Sequence, residues 1–141
     1  MQTVSERMTI LHWRKKLSKS DAQQKTRGAK MPFLRLTKSG MAHDHTTWFR
    51  HRFFDTLNWA PAGGGQAEQA RVAIRVVIDG QDRGRRYMTL DHDPKRPINH
   101  NAPTTHLHYD HATRRELEGT NLTGRIVVLQ RDGQDYFFEI L

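Results

Sequence analysis

Alternating apolar and polar residues indicate several short strands, most clearly in the second half of the chain. In residues 71–80 (RVAIRVVIDG) every second residue is a branched apolar one, and both arginines fall on the opposite face of the strand. Asp79-Gly80 predicts a tight turn into residues 85–90. Asp132-Gly133 predicts the clearest hairpin, with its two strands in residues 124–141. Two further short strands are predicted in residues 31–39 and 105–109.

Two segments have the spacing and capping residues of short helices. The first, residues 43–59, repeats apolar residues at four-residue steps and offers Asp44 or Thr46 as a cap. The second, residues 110–118, begins with a capping aspartate and is followed by Gly119. Several short strands with two short helices predict a mainly β (α+β) fold, a small barrel or pseudobarrel of about seven strands.

Composition favours one compact domain over residues 1–141. The chain is 35% apolar and 27% charged, so we expect a small core and a strongly polar surface. It has no cysteine, which excludes a disulfide framework and a thiolate metal site and fits a cytoplasmic location. No apolar run approaches the roughly 20 residues of a membrane span, and no signal peptide is expected.

Net charge points to a polyanionic partner. The chain carries +8, and residues 14–30, the first basic segment, hold seven Lys or Arg residues and one acid, a net +6. Ser, Thr and Gln residues lie between these cations, so the segment could track phosphates and also reach base edges. The alternative is a disordered, solvated N-terminal tail. An amphipathic basic helix is lacking, so nucleic acid is favoured over a membrane.

Arginines recur in residues 79–90 (DGQDRGRRYMTL), the second basic segment. Arg83, Arg85 and Arg86 surround Gly84 at a predicted hairpin tip. Arginine can contact guanine O6 and N7 bidentately, which suits such a tip to a DNA groove. The alternative is a solvated hairpin end whose aspartates neutralise part of the charge. Two basic loops on one barrel together predict a two-armed clamp.

Histidines cluster in the sequence and raise the question of a metal site. In a strand, His106 and His108 would point to the same face, as two metal ligands can. With Asp91, Asp93 or Asp110 nearby, a Zn²⁺, Mn²⁺ or Mg²⁺ nuclease site is conceivable. No recognised metal-binding spacing is present, so we expect structural or DNA-facing histidines, no metal and no cofactor. The aromatic residues, at helical or alternating spacing, are expected to form the core.

Parts of the sequence resemble a known family. KKLSKSDAQQKTRGAKMPFLRL followed by TTWFRHRFF is similar to the opening of the N-terminal effector domain of EcoRII-type restriction endonucleases. VVIDGQDRGRRYMTL resembles that family's basic hairpin, and NLTGRIVVLQRDG its closing strand. The resemblance extends over residues 14–141 as short matches. Related recognition domains of BfiI-type and NgoFVII-type enzymes, and the plant B-three domain, share the DNA-binding pseudobarrel fold.

The resemblance implies recognition of double-stranded DNA by two arms that grip the major groove, with no catalysis in this domain. Gln23 and Gln24 stand where the family is rich in Gly and Thr, and residues 91–103 have no counterpart. Cutting would then come from a separate nuclease domain or subunit, and this chain would be an excised recognition domain or a stand-alone binder. The predicted DNA-binding residues are Lys15, Lys16, Ser18, Lys19, Ser20, Asp21, Gln23, Lys25, Thr26, Arg27, Lys30, Arg83, Arg85 and Arg86.

Two alternatives remain open from the sequence. One is a small metal-dependent nuclease built on His106, His108 and a nearby aspartate. The other is a protein that binds nucleic acid, including RNA, without sequence preference.

Overall fold

The structure, a computed structural model, describes residues 10–27, 31–100 and 103–141, and within them the chain is mainly β. The strands are β1 (Ile10–Lys16), β2 (Phe33–Arg35), β3 (Ala60–Pro61), β4 (Glu68–Ile78), β5 (Gln81–His92), β6 (Thr105–His108), β7 (Ile126–Asp132) and β8 (Asp135–Ile140). The helices are α1 (His45–Trp48), which continues into a π-helical turn (Phe49–Phe53), α2 (Arg96–His100) and α3 (His111–Gly119).

All eight described strands belong to one curled half-barrel sheet. The strand order is β1-β7-β8-β4-β5-β6-β2, with β3 paired to β4 off this path. Neighbouring strands are antiparallel except β4 and β8, which are parallel. The mainly β, pseudobarrel-like fold expected from the sequence is therefore confirmed, with eight strands rather than about seven.

Side chains join the two ends of the sheet, β1 and β2, which do not pair through backbone ladders. The Trp13 indole donates a hydrogen bond to the Thr37 carbonyl (2.9 Å), and the Lys15 ammonium donates one to the Arg35 carbonyl (3.0 Å). On the same side, the Ser39 hydroxyl donates to a carbonyl of β1 (2.7 Å). These bonds satisfy backbone groups that an open sheet edge would leave to water.

The core fills the space inside the curled sheet. Alternate residues of β4 and β5 point inward, as the period of two requires, and the aromatic residues of α1 and the π-helical turn cover them. In the π-helical turn the Phe54 N–H bonds to the Phe49 carbonyl (2.8 Å), five residues back, so both rings face the core. The expectation that the aromatics pack in the core is confirmed for Trp48, Phe49, Phe53, Phe54, Tyr136 and Phe138.

The N-terminal part of the chain differs from the prediction. Residues 14–16, assigned above to a basic arm, are the end of β1, which pairs with β7 along its whole length. Trp13 points inward and is 1% exposed, and Leu17 is 2% exposed. The first helix is also shorter than expected, although Asp44 caps it. The 79–80 and 132–133 turns, and helix α3 with Asp110 as its cap, are as predicted.

Strand registers place both basic segments at the same end of the sheet. Lys16 pairs with Ile126, and the neighbouring Val127 pairs with Ile140. Ile140 in turn pairs with Ile78, next to the β4–β5 turn. The segment after β1, the β4–β5 turn and helix α3 therefore share one end, here called the arm end.

Candidate nucleic-acid interface

The first basic segment is folded over its described part. The Asp21 side chain is fully buried and forms an ion pair with the Lys15 ammonium, with 2.8 Å between Nζ and Oδ2. The Ser18 and Arg35 backbone N–H groups also point to this carboxylate (3.4 Å each). The carboxylate thus connects the end of β1 with β2 and holds the turn that starts at residue 18.

The side chains of Gln23 and Gln24 form hydrogen bonds that fix the backbone after Asp21. Gln23 is 2% exposed, and its side-chain amide donates to the carbonyls of Ser20 (2.9 Å) and Met31 (2.7 Å). The Gln24 amide donates to the carbonyl of Leu117 in α3 (2.7 Å). These bonds tie the segment to itself and to helix α3.

A buried tyrosine supports the same turn. The Tyr109 hydroxyl donates to the backbone carbonyl of Asp21 (2.7 Å). Burial, with a smaller contribution from the Asp21 charge, raises the pKa of Tyr109 well above its ordinary value. The hydroxyl therefore stays protonated and remains a hydrogen-bond donor at neutral pH.

Three of the predicted DNA-binding residues are engaged within the protein. The side chains of Asp21 and Gln23 are buried and bonded to neighbouring groups of the chain. Lys15 binds the Asp21 carboxylate and the Arg35 carbonyl. These three residues shape the segment rather than present ligand-binding groups. The signal missed in the sequence was the pairing of Lys15 with Asp21 across a turn.

The remaining cations of the first basic segment face solvent. Arg14 and Lys16 point outward from β1, and Lys19, Lys25 and Arg27 lie in the turn region. The hydroxyl residues Ser18 and Thr26 are also exposed, and Ser20 is half-buried. Lys30 lies outside the described residues. The first basic segment thus keeps five exposed cations, here called the cationic ridge: Arg14, Lys16, Lys19, Lys25 and Arg27.

The second basic segment is only partly available. Arg83 and Arg86 both form ion pairs with Glu116 of α3, at 2.9 and 2.8 Å, and Arg86 also donates to the Thr113 hydroxyl (2.8 Å). Arg85 is exposed, lies opposite Arg75 of β4, and with it lines an open groove of about 420 Å³. The expected arginine tip is therefore divided between two arginines that dock a helix and one that faces solvent.

Helix α3 lies between the two basic segments and bonds to both. Its C-terminal carbonyls accept from Gln24 of the first segment, while its Glu116 pairs with Arg83 and Arg86 of the second. A further link is Arg125, whose guanidinium pairs with Asp79 at the β4–β5 turn (2.6 Å) and whose carbonyl accepts from the Leu17 N–H (2.8 Å). Helix α3 and Arg125 thus each connect the first basic segment with the second.

A second polar cluster lies on the outer face of β5 and β6. The structure brings Asp91, rather than Asp93 or Asp110, to His106 and His108. His108 Nε2 contacts Asp91 Oδ2, and His106 Nδ1 lies 3.5 Å from the same oxygen. Arg96 contacts the other oxygen, Asp91 Oδ1. Sequence reasoning missed Arg96, which approaches from α2.

The environment sets the charges in this cluster. Burial alone would raise the pKa of Asp91, but hydrogen bonds from His106 and His108 and the charge of Arg96 outweigh it, so the pKa is well below the ordinary value. Burial lowers the pKa of His106 despite the nearby carboxylate. At neutral pH the cluster therefore holds an ionised Asp91 and a neutral His106.

Comparison of the chain with protein-family models, curated proteins and solved structures finds no match. Among the described residues, no helix is both long and apolar enough to cross a membrane.

Proposed function

We propose that this chain is a cytoplasmic, sequence-specific recognition module for double-stranded DNA, of the kind found in restriction-modification systems. The observation that carries this proposal is the cationic ridge, five exposed cations on a folded segment. The same segment contains one acid, Asp21, which is buried and already neutralised by Lys15. The ridge therefore presents its positive charge to solvent undiminished.

The folded support favours duplex DNA as the ligand. A flexible basic tail binds any polyanion, whereas cations on a folded segment can meet the phosphates of one duplex in a fixed arrangement. In this proposal Arg14, Lys16 and Lys19 contact phosphates. Arg27 and its neighbour Thr26 contact base edges.

Arg85 supplies a second contact from the other basic segment. It is exposed, and its neighbour Arg75 is already paired with Asp82 (2.6 Å). Arg83 and Arg86 are assigned a supporting role, because Glu116 engages both. The resulting hypothesis is a clamp whose first arm makes most of the DNA contacts and whose second arm contributes one arginine, instead of the three arginines expected from the sequence.

Selection of bound duplexes from a random pool at two salt concentrations tests this proposal. We expect enrichment of one sequence motif that persists at the higher salt concentration. Arg27→Ala or Arg85→Ala should relax the preference at one position by about 1–3 kcal/mol per lost bidentate contact. Lys16→Ala should weaken all duplexes alike. Equal affinity for all duplexes, together with strong competition by RNA, would instead favour the non-specific nucleic-acid binder.

The Asp91 cluster gives less support to a magnesium-dependent nuclease. It holds one carboxylate, whose second oxygen Arg96 occupies. Magnesium ions at phosphodiester-cleaving sites are held mainly by carboxylates and water. We therefore assign no catalysis to this chain and place any cleavage in a partner domain or subunit. Plasmid nicking by the purified chain with Mg²⁺, lost on Asp91→Asn, would contradict this assignment.

A further inference from the structure

The Asp91 cluster has the geometry of a three-ligand metal site. His106 and His108 are two residues apart in β6, so their side chains share one face of the sheet. Asp91 lies directly opposite His106 in the β5–β6 ladder. One ligand atom from each of the three residues lies within 4.8 Å of the others. Neighbouring strands therefore hold all three donors without a loop.

The donor set selects the kind of cation. Two imidazoles and one carboxylate suit Zn²⁺ and its neighbours in the first transition row, whereas Mg²⁺ and Ca²⁺ prefer sites made of oxygen ligands. Sites with three protein ligands usually keep a fourth position for water or another ligand. The exposed fractions of the His108 and Asp91 side chains are 35% and 24%, so solvent reaches the cluster.

Neighbouring residues orient the donors. Arg96 contacts Asp91 Oδ1 and leaves Oδ2 directed toward the two histidines. The guanidinium also donates to the carbonyls of Pro103 (3.2 Å) and Thr104 (3.0 Å) and lies 3.3 Å from His106 Nδ1. The Phe33 ring stacks on His106 with 3.9 Å between centroids and 9° between planes. Such outer contacts are typical supports of metal-binding side chains.

The His106 ring directs its Nδ1 atom toward the cluster. Nδ1 lies 3.5 Å from Asp91 Oδ2 and 3.3 Å from the Arg96 guanidinium. The side chain is 8% exposed, so few water molecules compete for this atom. A cation between Nδ1, the Asp91 carboxylate and His108 would replace the Arg96 contact at Nδ1.

We propose that Asp91, His106 and His108 form a binding site for one divalent transition-metal cation of the zinc class. The site does not depend on the proposed DNA recognition and requires no nucleic acid. Arg96 is a positioning residue for the carboxylate, and its positive charge weakens the affinity relative to a site without a neighbouring cation.

Calorimetric titration of the untagged chain with Zn²⁺, in the absence of DNA, tests the site. We expect one Zn²⁺ per chain and no binding of Mg²⁺ at the same concentration. Loss of a residue that only supports a metal ligand typically lowers metal affinity by about 10–100-fold. His108 is itself a proposed ligand, so His108→Ala should lower the Zn²⁺ affinity by more than this. His111→Ala, which removes an exposed histidine outside the cluster, is the matched control and should leave the affinity unchanged.

Two further measurements keep the result interpretable. Asp91→Asn preserves the shape of the side chain, so its loss of Zn²⁺ binding would support the site even if His108→Ala failed to fold. In spectra of ¹⁵N-labelled histidine rings, Zn²⁺ should shift the signals of His106 and His108 first. Absence of one-to-one binding, or equal binding by the wild type, His108→Ala and Asp91→Asn, would overturn the proposal.

Discussion

At the scale of single residues, the Lys15–Asp21 pair decides the shape of the first basic segment. Both side chains are largely removed from solvent, at 14% and 0% exposure. Removing one partner of a buried pair leaves an uncompensated charge, so Asp21→Ala should lower the free energy of unfolding by about 3–5 kcal/mol. Urea denaturation measures this change.

The matched control for Asp21 is an exposed ion pair. Asp82 pairs with Arg75 at 2.6 Å, but the two side chains are 55% and 47% exposed. Asp82→Ala should therefore change the free energy of unfolding by no more than about 1 kcal/mol. Similar losses in the two variants would show that Asp21 does not organise the segment.

A second residue-scale prediction concerns His92, which lies on the core-facing side of β5. Its Nδ1 atom is 2.9 Å from the Thr105 hydroxyl oxygen. Burial, with smaller contributions from His51 and Arg50, lowers the pKa of His92 to about 4 from the ordinary 6.5. Below pH 6.5 the unfolded chain binds a proton that the folded chain does not. The neutral folded His92 therefore makes the free energy of unfolding fall as the pH drops from 6.5 to about 4. The loss is at most about 1.4 kcal/mol per pH unit.

Denaturation of His92→Gln across this pH range checks the assignment. The variant should show a shallower loss of stability toward acid than the wild type, with part of the dependence remaining because the pKa of His106 is also lowered. His111→Gln changes an exposed histidine and should keep the wild-type slope. An unchanged slope in His92→Gln would assign the acid dependence to other groups.

At the scale of elements, helix α3 depends on its ion pairs with β5. Glu116 accepts a hydrogen bond from Arg86 and forms an ion pair with Arg83, and the Arg86 and Glu116 side chains are 16% and 31% exposed. Glu116→Gln should therefore lower the free energy of unfolding by about 1.5–3 kcal/mol, the range for hydrogen bonds to charged groups. It should also speed hydrogen exchange in α3, because the helix loses its anchor to the sheet.

Glu118→Gln provides the control on the same helix. Glu118 pairs with Arg114 four residues earlier at 3.5 Å, with both side chains 36% exposed. A surface pair of this kind contributes about 0.3–0.5 kcal/mol. If Glu116→Gln were no more destabilising than Glu118→Gln, Arg83 and Arg86 would be available for DNA contacts, and the two-armed clamp expected from the sequence would regain support.

Elements whose signals are local could be predicted from the sequence, and those stabilised by distant partners could not. The turn at 132–133 and the capped helix α3 carry their signals within a few residues. Strand β1 was missed because Lys15 occupies an inward position, where its charge hides the alternation. Asp21, the partner of Lys15, lies across a turn. The carbonyl to which the Lys15 ammonium donates belongs to Arg35 of β2. The burial of Asp21 follows from this tertiary arrangement and not from propensity.

The same distinction holds for the polar cluster. Alternation alone put His106 and His108 on one face, and the structure agrees. Which aspartate joins them depends on the β5–β6 register. The position of Arg96 depends on its bonds to the carbonyls of Pro103 and Thr104, ahead of β6. Neither can be obtained from spacing in the sequence.

At the scale of the whole molecule, exposed cations lie at the arm end and also elsewhere on the sheet. Arg52 is exposed, and its carbonyl accepts from Arg131, which pairs with Leu11 near the start of β1. The register thus places Arg52 at the opposite end of the sheet from Lys16. This arrangement separates two hypotheses for DNA affinity: contact through the cationic ridge, or attraction by the total charge of +8.

The salt dependence of DNA binding distinguishes these hypotheses. If Arg14, Lys16 and Lys19 contact phosphate, they contribute a slope of about −2.7 to the plot of log K against log salt concentration. A variant with Lys16 and Lys19 replaced by alanine should flatten the slope by about 1.8. Arg52→Ala should leave the slope unchanged, because only cations that displace counterions at the DNA contribute. Equal flattening per removed charge at both ends would mean that DNA binds through no particular face, which would contradict the proposed interface.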